Sequence, residues 1–186
     1  MLAPKLAEIT HGEKNLQISV FASQNGSENF LLRGDADLAI ECNRPKSPEI
    51  RFKRVVEEPF VVVISPSLLK AKKIRAVEEL LEYPHLLHQG LKTSEVLKLS
   101  HDIPNVQAIF NDIAMIWAAA CAGLGWALLP RYAVALELKE KQLIEIRHPV
   151  LPKIEPEHFG VWWLRDRPAL NPWIKKITEW LAEQSL

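Results

Sequence analysis

His85 and His88, separated by Leu86-Leu87, are the nearest thing to a metal-ligating pair in the 186-residue chain. Pro84 and the short leucine core favour a strand there, and on a strand residues three apart point to opposite faces. Two imidazoles on opposite faces cannot share an ion, so both read as ordinary partly buried histidines and no metal is expected. Ser65-Pro66-Ser67 lacks the glycines of a nucleophile elbow. Gly123-Leu124-Gly125 has no third glycine and follows a helical stretch, whereas a dinucleotide fingerprint precedes one. It reads as a helix exit that feeds a strand. Glu57-Glu58 and Glu78-Glu79 are adjacent pairs whose side chains diverge, which suits solvated faces rather than acid/base work. Lys70, Lys72 and Lys73 form the basic cluster of the chain and read as a solvated turn. Cys42 and Cys121 lie far apart without a CxxC and read as reduced thiols. No catalytic residue and no cofactor is expected, and the chain does not read as an enzyme.

The composition narrows the field further. Lys plus Arg total 23 and Asp plus Glu total 23, a formal net charge of zero, with 48% hydrophobic and 25% charged residues. So much apolar surface without net charge supplies a folded core and excludes disorder. A free-standing nucleic-acid binder neutralises phosphates with clustered cations, and this chain lacks that excess. The longest apolar run, Ile113 to Leu129, is interrupted by Gly123 and Gly125 and falls short of a membrane span. Met1 to Leu6 has no basic region followed by an apolar stretch, so a cytoplasmic location is expected.

The elements that must position any site follow from periodicity. Leu2, Leu6 and Ile9 share one face of an opening helix, and Leu16 to Val20 alternates as a strand. Ser27 caps a helix to Arg33, with Gly34 as its left-handed exit. Asp37 to Ile40 reads as a short buried strand. Phe60 to Ile64 is a continuous β-branched run, expected to be covered on both faces. Glu78–Glu82 is helical, His85–His88 a strand, and Thr93 or Ser94 caps a helix through Leu99. Val106–Phe110 is a strand, and Asn111 caps a helix from Asp112 to Ala122. Trp126–Leu129 is a strand followed by a helix after Pro130. Gln142–Arg147 and Phe159–Leu164 are strands. Asn171-Pro172 caps a last helix that aligns Trp173, Ile177, Trp180 and Leu181. Strands separated by helices argue an α/β fold with mainly parallel sheets. The prolines at Ser65-Pro66 and between Pro149 and Pro156 suit crossings between two lobes. The helix Ile113–Ala122 is apolar all round, so it is either a central core helix or buried partly by another subunit.

Several stretches recur in a familiar order: Leu32-Arg33-Gly34-Asp35-Ala36-Asp37-Leu38-Ala39-Ile40, Phe60 to Pro66, Glu79 to Pro84, then Asn111-Asp112 leading into Ala120-Cys121-Ala122-Gly123-Leu124-Gly125-Trp126-Ala127-Leu128-Leu129-Pro130. Over nearly the whole chain this order resembles the effector-binding (substrate-binding) domain of LysR-type transcriptional regulators. The resemblance implies an α/β fold of two Rossmann-like lobes, like a type II periplasmic binding protein, with the chain crossing between lobes twice. Lobe I takes residues 1–64 and 157–186, and lobe II residues 65–156. A small-molecule effector, an organic acid or a neutral metabolite, is implied in the inter-lobe cleft, where free N–H groups of helix starts converge. Carried over by position, its contacts are Ser23 and Gln24, Cys42, the turn Gly90, Leu91, Lys92 and Thr93, and the helix start at Asn111.

The resemblance also implies a homodimer or higher homo-oligomer. Leu2, Leu6 and Ile18 of one chain meet Met115, Ala118, Ala119 and Ala122 of another, which assigns the apolar helix to an interface. In the family a winged helix-turn-helix and a linker helix precede this domain. DNA is therefore expected as a partner only through a missing N-terminal domain, and no membrane partner is expected. The strand that opens the family's first lobe also falls before this sequence. The implied function is ligand sensing coupled to oligomer arrangement and transcription control. Two readings compete with it: a solute-binding protein of a transporter, which lacks its signal sequence here, and a small enzyme on the same fold, which lacks an evident acid/base cluster.

Overall fold

The computed structural model describes residues 8, 10, 11, 13, 16–21, 26–42, 44–69, 73–99, 102–147 and 149–183. The chain divides into two units, Met1–Glu57 with Glu157–Leu186, and Glu58–Pro156. The first is built on a three-stranded sheet. Its strands are Leu38–Cys42 (β1), Ile50–Glu58 (β2), whose last residue enters the second unit, and Glu157–Leu164 (β8), in the order β1-β8-β2. β1 and β8 run antiparallel, with Ile40 opposite Val161. Successive residues of β8 serve opposite faces, as strand geometry requires. Val161 and Trp163 pack with Trp173, Ile177, Trp180 and Leu181 of the helix Asn171–Glu183. Trp162 and Leu164 pack with Leu31 of the helix Ser27–Arg33 (α1). Gly160 is required where β8 meets β2, because a Cβ there would lie 2.5 Å from the Lys53 carbonyl oxygen.

The second unit holds a five-stranded sheet in the order β5-β4-β6-β3-β7. These strands are Phe60–Ile64 (β3), His85–His88 (β4), Val106–Phe110 (β5), Trp126–Pro130 (β6) and Ile144–Ile146 (β7). β4 runs parallel to β5 and β6, whereas β3 runs antiparallel to β6 and β7. The unbroken apolar run of β3 is explained by its position. Val61 and Val63 join one core with Ile116, Ala120 and Val134, while Val62 and Ile64 join another with Leu80, Leu97 and Trp126. Each such side chain moved out of water contributes roughly 1.5–3 kcal/mol. The helices are Pro66–Leu69 (α2), Val77–Leu81 (α3), Thr93–Val96 (α4), Ile113–Cys121 (α5) and Arg131–Lys139 (α6), and the helix Asn171–Glu183 of the first unit is α7.

Several expectations need correction. The sheets are mixed rather than mainly parallel, because strand–helix alternation does not fix strand direction at β3, β7 and β8. β3 pairs within the second unit, so the division falls at Glu57/Glu58 and not after Ile64. Leu16–Val20 forms no strand among the described residues, and Leu16, Ile18 and Val20 are exposed. Alternation marks a competent strand, but a ladder also needs a neighbour. Ile40 in β1 is exposed because β1 lies at a sheet edge. Ser27 is the first helical residue behind Gly26, and its hydroxyl donates to the Glu41 carboxylate. Lys92 rather than Thr93 or Ser94 precedes α4, and Asn171 is itself helical. Asp112, not Asn111, caps α5: its carboxylate accepts from Met115 N at 3.0 Å. Within α5, Ile116 and Ala120 are buried, while Ala114, Met115 and Ala118 are exposed. The helix is therefore not covered all round by its own chain. The opening helix with Leu2 and Leu6 lies outside the described residues.

Candidate functional site

Two parallel strands end side by side in the second unit. His88 at the end of β4 stands opposite Phe110 at the end of β5, and Gln89 N donates to the Phe110 carbonyl at 2.7 Å. That bond brings the turn Gly90-Leu91-Lys92-Thr93 beside Asn111, two pieces 18 residues or more apart in sequence. The carboxyl edge of parallel strands is where α/β folds hold small ligands, because loops and helix starts open there together. The Thr93 side chain is buried, whereas Lys92 is exposed and donates to Glu95 Oε1 at 2.7 Å. Asn111 leads directly into Asp112 and the start of α5.

His88 belongs to this group, although it was not among the expected contacts. Its Nδ1 accepts from Gly90 N at 3.1 Å and so fixes the turn. The sequence signal is a histidine two residues before a glycine at a strand end. His85 serves a different neighbour: it is fully buried and stacks on Trp126 with 4.1 Å between centroids. The two imidazoles thus have separate roles.

The same edge carries two helix starts, and both already hold a carboxylate of this chain. Asp112 takes Met115 N of α5. Glu58 takes Tyr132 N of α6 at 3.0 Å, and Arg131 N donates to the Pro59 carbonyl at 2.9 Å. Burial raises the Glu58 carboxyl above the usual range, against the lowering effect of the Tyr132 and Arg131 amides. Helix starts attract anions. Here that attraction is spent internally, which disfavours a further anion.

In the first unit Cys42 closes β1 opposite Phe159. Burial raises its thiol pKa, and the Glu41 and Glu157 carboxylates raise it further, so the thiol is protonated. Both cysteines are free of disulfides. Ser23 and Gln24 lie outside the described residues. Gly123 and Ser65-Ser67 are at the opposite end of the second unit's sheet, where a Cβ on Gly123 would lie 2.7 Å from Ser67 Oγ. They therefore do not join the Gly90–Thr93 group.

Comparison with known proteins bears on the family and the fold. The family model described as the LysR substrate binding domain matches residues 1–185. The glycine cleavage system transcriptional activator of Escherichia coli K12 is 26% identical over 148 residues, covering 77% of this chain and 48% of its own length. The HTH-type transcriptional regulator AbaB of Streptomyces antibioticus is 25% identical over 164 residues, covering 80% and 52%. The chain thus spans about half the length of the curated relatives it matches. Its fold resembles the regulatory domain of CrgA from Neisseria meningitidis, with a TM-score of 0.80 at 18% identity over 100% of this chain and 92% of that one. The effector domain of AmpR from Pseudomonas aeruginosa gives 0.71 at 17% identity over 99% and 88%.

Proposed function

The chain belongs to the LysR substrate-binding domain family, and on that premise we propose that it is the effector-sensing part of a transcriptional regulator. The observation that carries this reading is the meeting of the Gly90–Thr93 turn and Asn111 at the carboxyl edge of β4 and β5. That edge supplies backbone and side-chain amide groups for a small ligand. The carboxylates of Asp112 and Glu58 occupy the neighbouring helix starts, which favours a neutral polar metabolite over an organic acid. The site binds without turnover.

Effector binding is coupled to a homodimer or higher oligomer in which Met115, Ala118 and Ala122 of α5 and its exit meet the partner. Their exposure on an otherwise apolar helix supports that role. DNA is reached through the part of the longer protein that precedes this domain, and the working location is the cytoplasm. Thermal-shift screening against small carboxylates, amino acids and neutral metabolites tests the reading. A ligand at about one hundred times its Kd stabilises by roughly 2.7 kcal/mol, or about 5–10 °C for a domain of this size. The ligand is recovered unchanged if the site senses. Its conversion to product would move the reading to catalysis.

A further inference from the structure

β7 is the outer strand of the second unit's sheet and, among the described residues, pairs with β3 alone. A cavity of about 440 Å³, within the ~300–1,000 Å³ of ligand pockets, touches Ile144, Glu145 and Ile146 in succession. Side chains of a strand alternate between faces, so a groove on one face meets only every second residue. The groove therefore borders the whole length of β7, a strand whose outer edge pairs with no other strand among the described residues. Leu69, Ile74 and Val150 give it apolar walls, and Lys73 and Arg147 stand on its rim.

The charge of the groove is positive. Glu145 Oε1 is 2.5 Å from Arg131 Nη2 and its Oε2 is 2.5 Å from Arg147 Nη2, so two guanidiniums share one carboxylate. Burial raises the Glu145 carboxyl, but the Arg147 and Arg131 hydrogen bonds outweigh it and hold the group below its usual range. Lys73 forms no ion pair among the described residues. Among the described residues it adds a cation without a carboxylate partner beside the two guanidiniums that share Glu145.

We propose that this groove is a docking site for an extended acidic peptide segment of a partner protein, added as a further strand to β7. Main-chain bonds to the open edge give affinity, and alternate side chains divide their roles. Apolar residues of the segment face Leu69, Ile74 and Val150, and its carboxylates face Lys73 and Arg147. This surface is separate from the effector-contacting turn and does not depend on that reading.

The test is an amide NMR titration of the whole chain with a blocked hexapeptide of alternating valine and glutamate. Expected are shifts at Ile144–Ile146 and at Lys73-Ile74, with affinity reduced about tenfold or more, some 1.4 kcal/mol, by N-methylating alternate peptide amides. Lys73→Glu weakens binding by a similar factor while leaving the melting temperature unchanged, and an alternating valine–lysine peptide does not bind. The proposal is overturned if the N-methylated peptide binds equally well, if the shifts fall elsewhere, or if octanoate fills the groove while the peptide does not.

Discussion

His85 is a titratable side chain buried completely in the second unit. Neither ring nitrogen has a hydrogen-bond partner among the described residues, and the Trp126 indole covers one face. Burial holds its pKa down to about 4 from the ordinary 6.5. Between those values the unfolded chain binds a proton that the folded chain refuses. The stability that depends on a neutral His85 is therefore complete above pH 6.5 and is lost as pH falls towards 4, about 3 kcal/mol in total. His85→Phe keeps the stacked ring and removes the titration. Its urea midpoint should decline less steeply from pH 7 to pH 4 than that of the parent, and parallel declines would place the acid sensitivity elsewhere. Pro84 and the two leucines made the strand legible in the sequence. Which of its two histidines turns inward was not, because that depends on Trp126, which lies 41 residues further on and belongs to a parallel neighbour.

At the scale of elements, α5 separates three roles that its composition blurs. Asp112 caps it, so Asp112→Ala should cost about 1 kcal/mol in chemical unfolding. Asn111→Ala should cost less, and the reverse order would return the cap to Asn111. Ala118 is exposed, while Ala119 packs against the core formed with Ile116 and Ala120. Ala118→Glu should therefore yield monomers with unchanged melting, and Ala119→Glu should lower the melting temperature. Size-exclusion chromatography with calorimetry distinguishes them, and a dimeric Ala118→Glu contradicts the proposed interface. The close approach of β8 to β2 makes a different prediction. Gly160→Ala forces a methyl against the Lys53 carbonyl and the Phe52 ring, which packs edge-on to Trp162. A loss of about 1–3 kcal/mol is expected on urea unfolding. Apolar runs identified β3 and β6 in the sequence because both faces of those strands are buried. The run Leu16–Val20 misled, since alternation reports what a segment could pair with and not whether a partner lies beside it.

For the whole molecule, the zero net charge is consistent with the sensing role proposed above. The ordered blocks from Leu32 to Pro130 carried the family and the α/β fold because turn glycines and strand-ending prolines punctuate them at fixed spacing. The site was legible only in part. The Gly90–Thr93 turn and Asn111 could be named from the sequence, but His88 and the carboxylates that fill the helix starts become visible only once β4, β5 and α6 are assembled. The central claim is that a small molecule binds at that convergence. Gly90 offers a clean obstruction, because an added Cβ makes only ordinary contact with the His88 ring at 3.4 Å. Gly90→Leu should fold normally and project bulk from the turn. The decisive measurement is calorimetric titration of the strongest thermal stabiliser into the parent chain and Gly90→Leu. The account predicts one site in the parent and at least about a tenfold weaker affinity in the variant. Equal affinity in two equally stable chains would contradict it.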